Sequence, residues 1–136
     1  MLNLSVAAIL LYSIAGAAVL IYFPYLFVAY ARFQVGMDLS APRAMFDKLP
    51  AYGQRATWAH QNSFETFLVY LAAALLAYLT KVDSPLVAGC AIAYPISRFF
   101  FSIFYLANIP LGRSLMFGVG SFCTAVLFIA SLKAAV

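Results

Sequence analysis

Apolar residues fill four long stretches of this chain, and shorter polar segments separate these stretches. The first stretch carries no charged side chain before Arg32. The other three lie at 56–79, 85–107 and 114–132. About 20 apolar residues in helical form cross the hydrocarbon core of a bilayer, so the pattern predicts four transmembrane helices, the first at about residues 4–30. The first stretch has no basic n-region and no obvious cleavage site, and we therefore expect a retained span instead of a signal peptide.

The composition supports an integral membrane protein. Of the 136 residues, 66% are hydrophobic and 9% are charged, whereas a soluble domain carries about 25% charged residues. Backbone groups in lipid must be satisfied within their own segment, and short connections make neighbouring helices antiparallel. We therefore predict an all-α four-helix transmembrane bundle that forms one domain over residues 1–136.

The distribution of lysine and arginine predicts the orientation of the bundle. The basic residues on the side of the first and third loops are Arg32, Arg43, Lys48, Arg55 and Arg113. The opposite side has Lys81 and Lys133. Cytoplasmic loops carry the excess of basic residues, so we expect both termini outside and the first loop in the cytoplasm, in a bacterial inner membrane. The net charge of +4 then reflects topology and gives no reason to expect a nucleic-acid partner.

Cysteine and histidine usage gives no indication of a metal site. The chain has a single histidine and two cysteines, Cys90 and Cys123, each inside a predicted span. No Cys and His spacing resembles a zinc site, and buried cysteines commonly serve as small apolar residues. We expect no metal cofactor.

A polar cluster opens the second span, in the sequence RATWAHQNSFETF at 55–67. At about 100° per residue, Arg55, Asn62 and Glu65 share one face of the helix. His60 falls on the other side, where we expect it to meet a different neighbour. A carboxylate such as Glu65 is costly inside a membrane unless a partner or a water-filled cavity receives it.

The third span contains a second unusual charge, Arg98, in the middle of an apolar run. It lies too deep to reach water easily by snorkelling, and Glu65 is the only acidic residue in any predicted span. We therefore predict that these two side chains pair. Tyr105 lies seven residues on, within about 20° of the same face, and Arg113 follows the next break. The pair is open to two interpretations, a structural salt bridge or a polar pocket for a zwitterionic or anionic ligand.

These residues resemble a known family, the membrane-associated proteins in eicosanoid and glutathione metabolism (MAPEG). The resemblance covers nearly the whole chain and rests on two motifs. RATWAHQNSFE is similar to the helix 2 pattern of Arg, Ala-His or Ala-Gln, one residue, Asn, two residues and Glu. Arg98, Tyr105 and Arg113 fit the spacing of helices 3 and 4. The form AHQNSFE is similar to the bacterial branch related to microsomal glutathione transferases.

The resemblance implies a homotrimer that binds glutathione, as thiol cosubstrate, between adjacent subunits near the cytoplasmic face. The residues that it places around the cosubstrate are Arg55, His60, Asn62, Glu65, Arg98 and Tyr105. Arg113 matches the arginine proposed to hold the sulfur as thiolate, and Arg32 matches a basic residue near the reactive end. Two positions depart from the family pattern: Trp58 stands where many members have arginine, and Thr66 where an aromatic residue is common.

The chemistry implied by this resemblance is conjugation or peroxide reduction. An arginine beside a thiol favours the nucleophilic thiolate, and aromatic residues facing lipid would admit a hydrophobic electrophile or a lipid hydroperoxide. Two other classes remain open, a non-catalytic trimeric scaffold of the same fold and a small four-helix transporter. The transporter class places its coupling carboxylate in helix 1, where this chain has none. An enzyme needs Arg113 for turnover, and a scaffold does not.

Overall fold

Four long α-helices and one short 3₁₀ helix form the regular structure of residues 4–136, the part of the chain that the computed structural model describes. The α-helices are α1 (Val6–Gln34), α2 (Ala51–Leu79), α3 (Pro85–Leu106) and α4 (Pro110–Ala134), and the 3₁₀ helix is Pro42–Lys48. Each α-helix is long and apolar enough to cross a membrane. The predicted all-α four-helix membrane bundle is therefore confirmed, while the first three residues of the predicted domain lie outside the described part.

Helices α2 and α4 begin earlier than the apolar stretches suggested. Helix α2 begins at Ala51 instead of residue 56, directly after Pro50, and α4 begins at Pro110 instead of residue 114. Pro110 occupies the first helical position of α4, where proline has no amide hydrogen to lose and a φ angle suited to the helix, and Pro50 is the N-cap of α2. Hydropathy marks where a helix enters lipid, so it misses polar first turns that protrude from the membrane.

Two tyrosines at the centre of the bundle connect three helices. Tyr70 of α2 and Tyr94 of α3 are 0% and 2% exposed, and their rings stack with centroids 3.6 Å apart. The hydroxyl groups of Tyr70 and Ser13 of α1 form a hydrogen bond of 2.6 Å. Hydrogen bonds between helices and close van der Waals contact hold membrane bundles together, since lipid provides no hydrophobic driving force between helices.

Helices α1 and α2 approach closely at the end that bears the first loop, because small residues line their contact. A β-carbon added to Gly53 would lie 2.6 Å from the Cβ atom of Ala31. Ala56 and Ala59 are also fully buried along this side of α2. The side chain of Tyr52 donates a hydrogen bond to Gln34 at the same end. This contact fixes the position of the first turns of α2 relative to α1.

We expect Gly53→Ala to destabilise the fold by about 1–3 kcal/mol, since the added methyl group overpacks the contact between α1 and α2. Gly16→Ala is the matched control, because nothing lies within 4 Å of a β-carbon at that position. The measurement is thermal unfolding of each purified variant in detergent. Equal melting temperatures for the two variants would contradict the close approach at Gly53.

Candidate functional site

The charged residues of α2 and α3 lie at similar depths in the bundle. Glu65 precedes the far end of α2, Leu79, by 14 residues, and Arg98 follows the corresponding end of α3, Pro85, by 13 residues. At 1.5 Å per residue, both lie about 20 Å from that end. If these helix ends lie at the surface of a hydrocarbon core about 30 Å thick, both residues are about 10 Å below the surface that faces the first loop.

Arg98 is buried and held by neutral groups. It is 5% exposed, and its Nη2 atom donates to Asn62 Oδ1 at 2.8 Å and to Ser63 Oγ at 3.4 Å. The guanidinium carbon lies 3.9 Å from the centre of the Phe101 ring, a cation–π contact. The Nε atom is buried without a hydrogen-bond partner among the described residues. Buried polar atoms without a hydrogen-bond partner are rare in folded proteins.

The predicted pairing of Glu65 with Arg98 within one subunit is wrong. Glu65 Oε1 accepts a hydrogen bond of 3.3 Å from Gln61 Nε2, while Arg98 binds Asn62 and Ser63. Three residues along a helix correspond to a rotation of about 300°. When Asn62 faces α3, Glu65 is therefore turned away by about 60°, and its side chain is exposed.

Both charged residues nevertheless line one cavity of 490 Å³ between α2, α3 and α4. A second cavity of 270 Å³ adjoins it, and Asn62 and Phe117 line both. The second cavity brings in Tyr105 and Arg113. We call the two together the α2–α4 cleft. Ligand sites in proteins commonly measure about 300–1,000 Å³, so the cleft is large enough for a small peptide.

The α2–α4 cleft has a polar end near the first-loop surface and an apolar end deeper in the bundle. Arg113 lies at the polar end, with its guanidinium carbon 4.5 Å from the centre of the Tyr105 ring. Val69, Ala125 and Phe128 line the deep end. The cleft can therefore bind charged groups at one end and a hydrophobic group at the other.

Arg55 lies beside the connection between α3 and α4. Its Nε atom donates to the backbone carbonyl oxygen of Leu106 at 3.1 Å. That carbonyl belongs to the last residue of α3, where cations interact favourably with the helix dipole. Arg55 thus binds the protein backbone in the structure.

His60 lies on the face of α2 opposite Asn62, and Arg32 of α1 lies on the same side of α2 as His60. They line a cavity of 760 Å³ between α1, α2 and the first loop, which also includes Arg43. His60 Nδ1 lies 2.8 Å from the carbonyl oxygen of Ile21. The Nε atom of Arg32 is buried and has no hydrogen-bond partner within residues 4–136. We call this cavity the α1–α2 cavity.

Helix α2 therefore separates the predicted site residues into two groups. Asn62, Arg98, Tyr105 and Arg113 meet in the α2–α4 cleft, and Arg32 and His60 meet in the α1–α2 cavity. Glu65 lines both cavities. A single subunit does not bring both groups to one ligand.

Sequence reasoning named only Arg113 from α4 and missed the rest of the contribution of this helix to the cleft. The side of α4 that lines it consists of Phe117, Gly120, Ser121, Thr124, Ala125 and Phe128. These positions recur every three or four residues, the spacing of one helix face. Small and hydroxyl residues repeated at this spacing were the available signal. Ser63, the second acceptor for Arg98, carried no distinguishing pattern.

We expect Asn62→Leu to destabilise the protein by about 1–3 kcal/mol, because it removes an acceptor from a buried charge. Arg98→Met in the same chain should restore most of the loss, since the double variant leaves no unpaired charge. Thermal unfolding of both variants and of wild type measures this. Additive destabilisation in the double variant would show that Asn62 and Arg98 do not interact.

Comparison with known proteins identifies the family. A model described as the MAPEG family matches residues 9–133. Searches of curated proteins and of solved structures give no significant match. The four membrane-spanning helices agree with a multi-pass membrane protein. Because the match covers almost all of the sequence, this chain belongs to the MAPEG family.

Proposed function

We propose that this protein is a membrane-bound glutathione-dependent transferase or peroxidase that acts on hydrophobic electrophiles or lipid hydroperoxides. The MAPEG family is associated with glutathione in general. The observation that carries the proposal is the α2–α4 cleft, in which a carboxylate, two arginines, an amide and a phenol line adjoining cavities next to an apolar surface.

The charges in the cleft suit a tripeptide with one amino group, two carboxylates and a thiol. Glu65 would receive the amino group, and Arg98, which also lines the cleft, would bind a carboxylate. Asn62 contributes an amide beside Arg98, and Tyr105 contributes a hydroxyl group at the polar end. Charge-assisted hydrogen bonds of this kind are among the strongest in proteins.

Arg113 is the proposed catalytic residue. Glutathione supplies a thiol that attacks the electrophile or reduces the peroxide, and only its thiolate form is strongly nucleophilic. A guanidinium group beside the sulfur favours the thiolate by Coulomb attraction. The Arg113 guanidinium lies over the face of the Tyr105 ring. This contact limits the orientations that the guanidinium can adopt. Phe117 lines both cavities of the cleft and presents an apolar ring between the parts that hold Arg98 and Arg113.

The second substrate would enter from the membrane. The deep end of the cleft presents Val69, Ala125 and Phe128, which suit an apolar group. A hydrophobic molecule dissolved in the bilayer would reach this apolar wall without crossing water. Its reactive atom would then meet the thiolate at the boundary between the apolar and polar ends.

We propose that a homotrimer completes the site. Glu65 is exposed in the subunit although it lies about 10 Å inside the hydrocarbon core, and an uncovered carboxylate at that depth is costly. A neighbouring copy that places its α1–α2 cavity against the α2–α4 cleft would cover Glu65. It would also bring its own Arg32 and His60 to the ligand. In this arrangement, the first loop and the bound thiol lie at the cytoplasmic face.

We expect Arg113→Ala to bind glutathione with an affinity close to that of wild type at a pH at which the bound thiol is protonated, but to lose about 10²–10³-fold in turnover, as for loss of one group that stabilises developing charge. Glu65→Gln should weaken glutathione binding instead. Lys133→Ala, at the exposed end of α4, is the control. Calorimetry with glutathione, and assays with aromatic halides and lipid hydroperoxides, measure the two effects.

A different outcome would favour the scaffold. If wild type binds no glutathione, and Glu65→Gln lowers only the melting temperature, the polar residues serve the fold. The same conclusion follows if Arg113→Ala leaves turnover unchanged.

We expect two inactive variants to complement each other in one trimer. Arg32→Ala and Arg113→Ala, given different tags and purified through both, form trimers in which about one third of the sites combine an intact Arg32 with an intact Arg113. Turnover should return to about that fraction of wild type. Absence of activity in the mixed trimers would show that Arg32 and Arg113 do not serve one site from neighbouring subunits.

A further inference from the structure

The connection between α3 and α4 is a tightly bonded turn. The amide of Asn108 donates to the carbonyl of Tyr105 at 3.2 Å, and the amide of Ile109 donates to that of Phe104 at 2.8 Å. Asn108 has a φ angle of +57°, in the left-handed region. These are the two bonds of a Schellman motif, which ends a helix with defined geometry. Helix α4 then begins at Pro110.

Arg55 supplies the hydrogen bond that this turn lacks. In a continuous helix the carbonyl of Leu106 would accept from the amide of residue 110, but Pro110 has no amide hydrogen. Arg55 Nε donates to that carbonyl from α2 at 3.1 Å. The arginine also places a positive charge at the negative end of the α3 dipole. Arg55 therefore ties the turn to α2.

Gly112, in the first turn of α4, allows a side chain of α3 to pack closely against the turn. A β-carbon at Gly112 would lie 2.9 Å from two ring atoms of Phe104. The ring of Phe104 thus packs directly on the backbone of the first turn of α4, and only glycine leaves room for it. The next residue of α4 is Arg113, and Tyr105, the residue after Phe104, carries the ring that Arg113 faces.

We propose that Arg55 and Gly112 are positioning residues that fix the α3–α4 turn so that Arg113 is held over the Tyr105 ring at the polar end of the cleft. The inference rests on the proposed function only in that Arg113 acts on a thiol. It differs from the role expected from family resemblance, in which Arg55 contacts glutathione. Both residues act through the backbone of the turn, and neither touches the ligand.

The position of the guanidinium group matters because its effect on a thiol falls with distance. The attraction between two charges varies inversely with their separation and with the local dielectric constant. A turn that moves outward by a few ångströms therefore weakens the stabilisation of the thiolate. It leaves intact the groups on α2 and α3 that would bind the rest of the tripeptide.

The test compares glutathione affinity with the pKa of the bound thiol. Gly112→Ala and Arg55→Met are the test variants, and Gly118→Ala in the same helix is the control, since nothing lies within 4 Å of a β-carbon there. Calorimetry gives the affinity, and the ultraviolet absorbance of the thiolate against pH gives the thiol pKa. Arg55→Lys keeps a charged donor and should restore part of the wild-type behaviour.

At a pH low enough to keep the bound thiol protonated in wild type, we expect both test variants to keep glutathione affinity within about threefold of wild type, a difference under 1 kcal/mol. The pKa of the bound thiol should rise towards the free value of about 8.5. Gly118→Ala should match wild type in both measurements. If Arg55→Met instead loses about tenfold or more in affinity with an unchanged thiol pKa, Arg55 is a ligand residue and the inference fails. An unchanged thiol pKa in Gly112→Ala also overturns it.

A second readout does not depend on glutathione. The ring of Tyr105 should shift the nuclear magnetic resonance signal of the Arg113 guanidinium. This signal is assigned by its absence from the spectrum of Arg113→Lys. The shifted signal should persist in Gly118→Ala and disappear in Gly112→Ala and Arg55→Met.

If Gly112→Ala fails to assemble, Arg55→Met alone provides the test. If wild type binds no glutathione but the signal behaves as expected, the proposed function fails and the positioning role stands. A signal retained in the test variants overturns the positioning role.

Discussion

The guanidinium group of Arg98 lies inside the bundle at a depth where lipid offers neither water nor counter-charge. Asn62 and Ser63 of α2 accept its hydrogen bonds, and the Phe101 ring covers one face. These contacts fix the rotation of α2 about its axis. Once Asn62 faces α3, His60 faces α1, and Glu65 is turned away from Asn62 by about 60°. The division of the polar residues between two cavities therefore follows from the need to satisfy one buried charge.

The bundle itself was predictable because lipid leaves few alternatives. Four apolar stretches of sufficient length must be helices, and the structure has them. The polar ends were less predictable, since hydropathy carries no information outside the hydrocarbon core. The 3₁₀ helix from Pro42 to Lys48 begins at a proline and contacts α2. The early start of α2 at Ala51 follows Pro50 and is accompanied by close contact with α1. Neither leaves a signal in apolar periodicity.

The composition of the candidate site was more predictable than its contacts. Helical phase correctly placed His60 apart from Asn62, because 100° per residue separates their faces. It failed to separate Glu65 from Asn62, which lie only about 60° apart, and charge alone favoured the wrong partner for Arg98. Neutral amide and hydroxyl groups can satisfy a buried guanidinium, and no pattern in a single sequence distinguishes them from a carboxylate partner. The role of Arg55 depended likewise on the position of a backbone carbonyl in another helix.

The arrangement of the two cavities also explains why polar residues can remain exposed on a single subunit. Glu65 borders both cavities, so a ligand or a second copy on either side of α2 would change its surroundings. Arg98 and Arg32 each retain a buried donor without a partner among the described residues, one in each cavity. Unpaired donors in both places are costly in the isolated subunit, and an anionic ligand shared between two copies would satisfy both if the side chains that cover them moved. Assembly and ligand binding would then stabilise each other, because each completes the hydrogen bonds that the other leaves open.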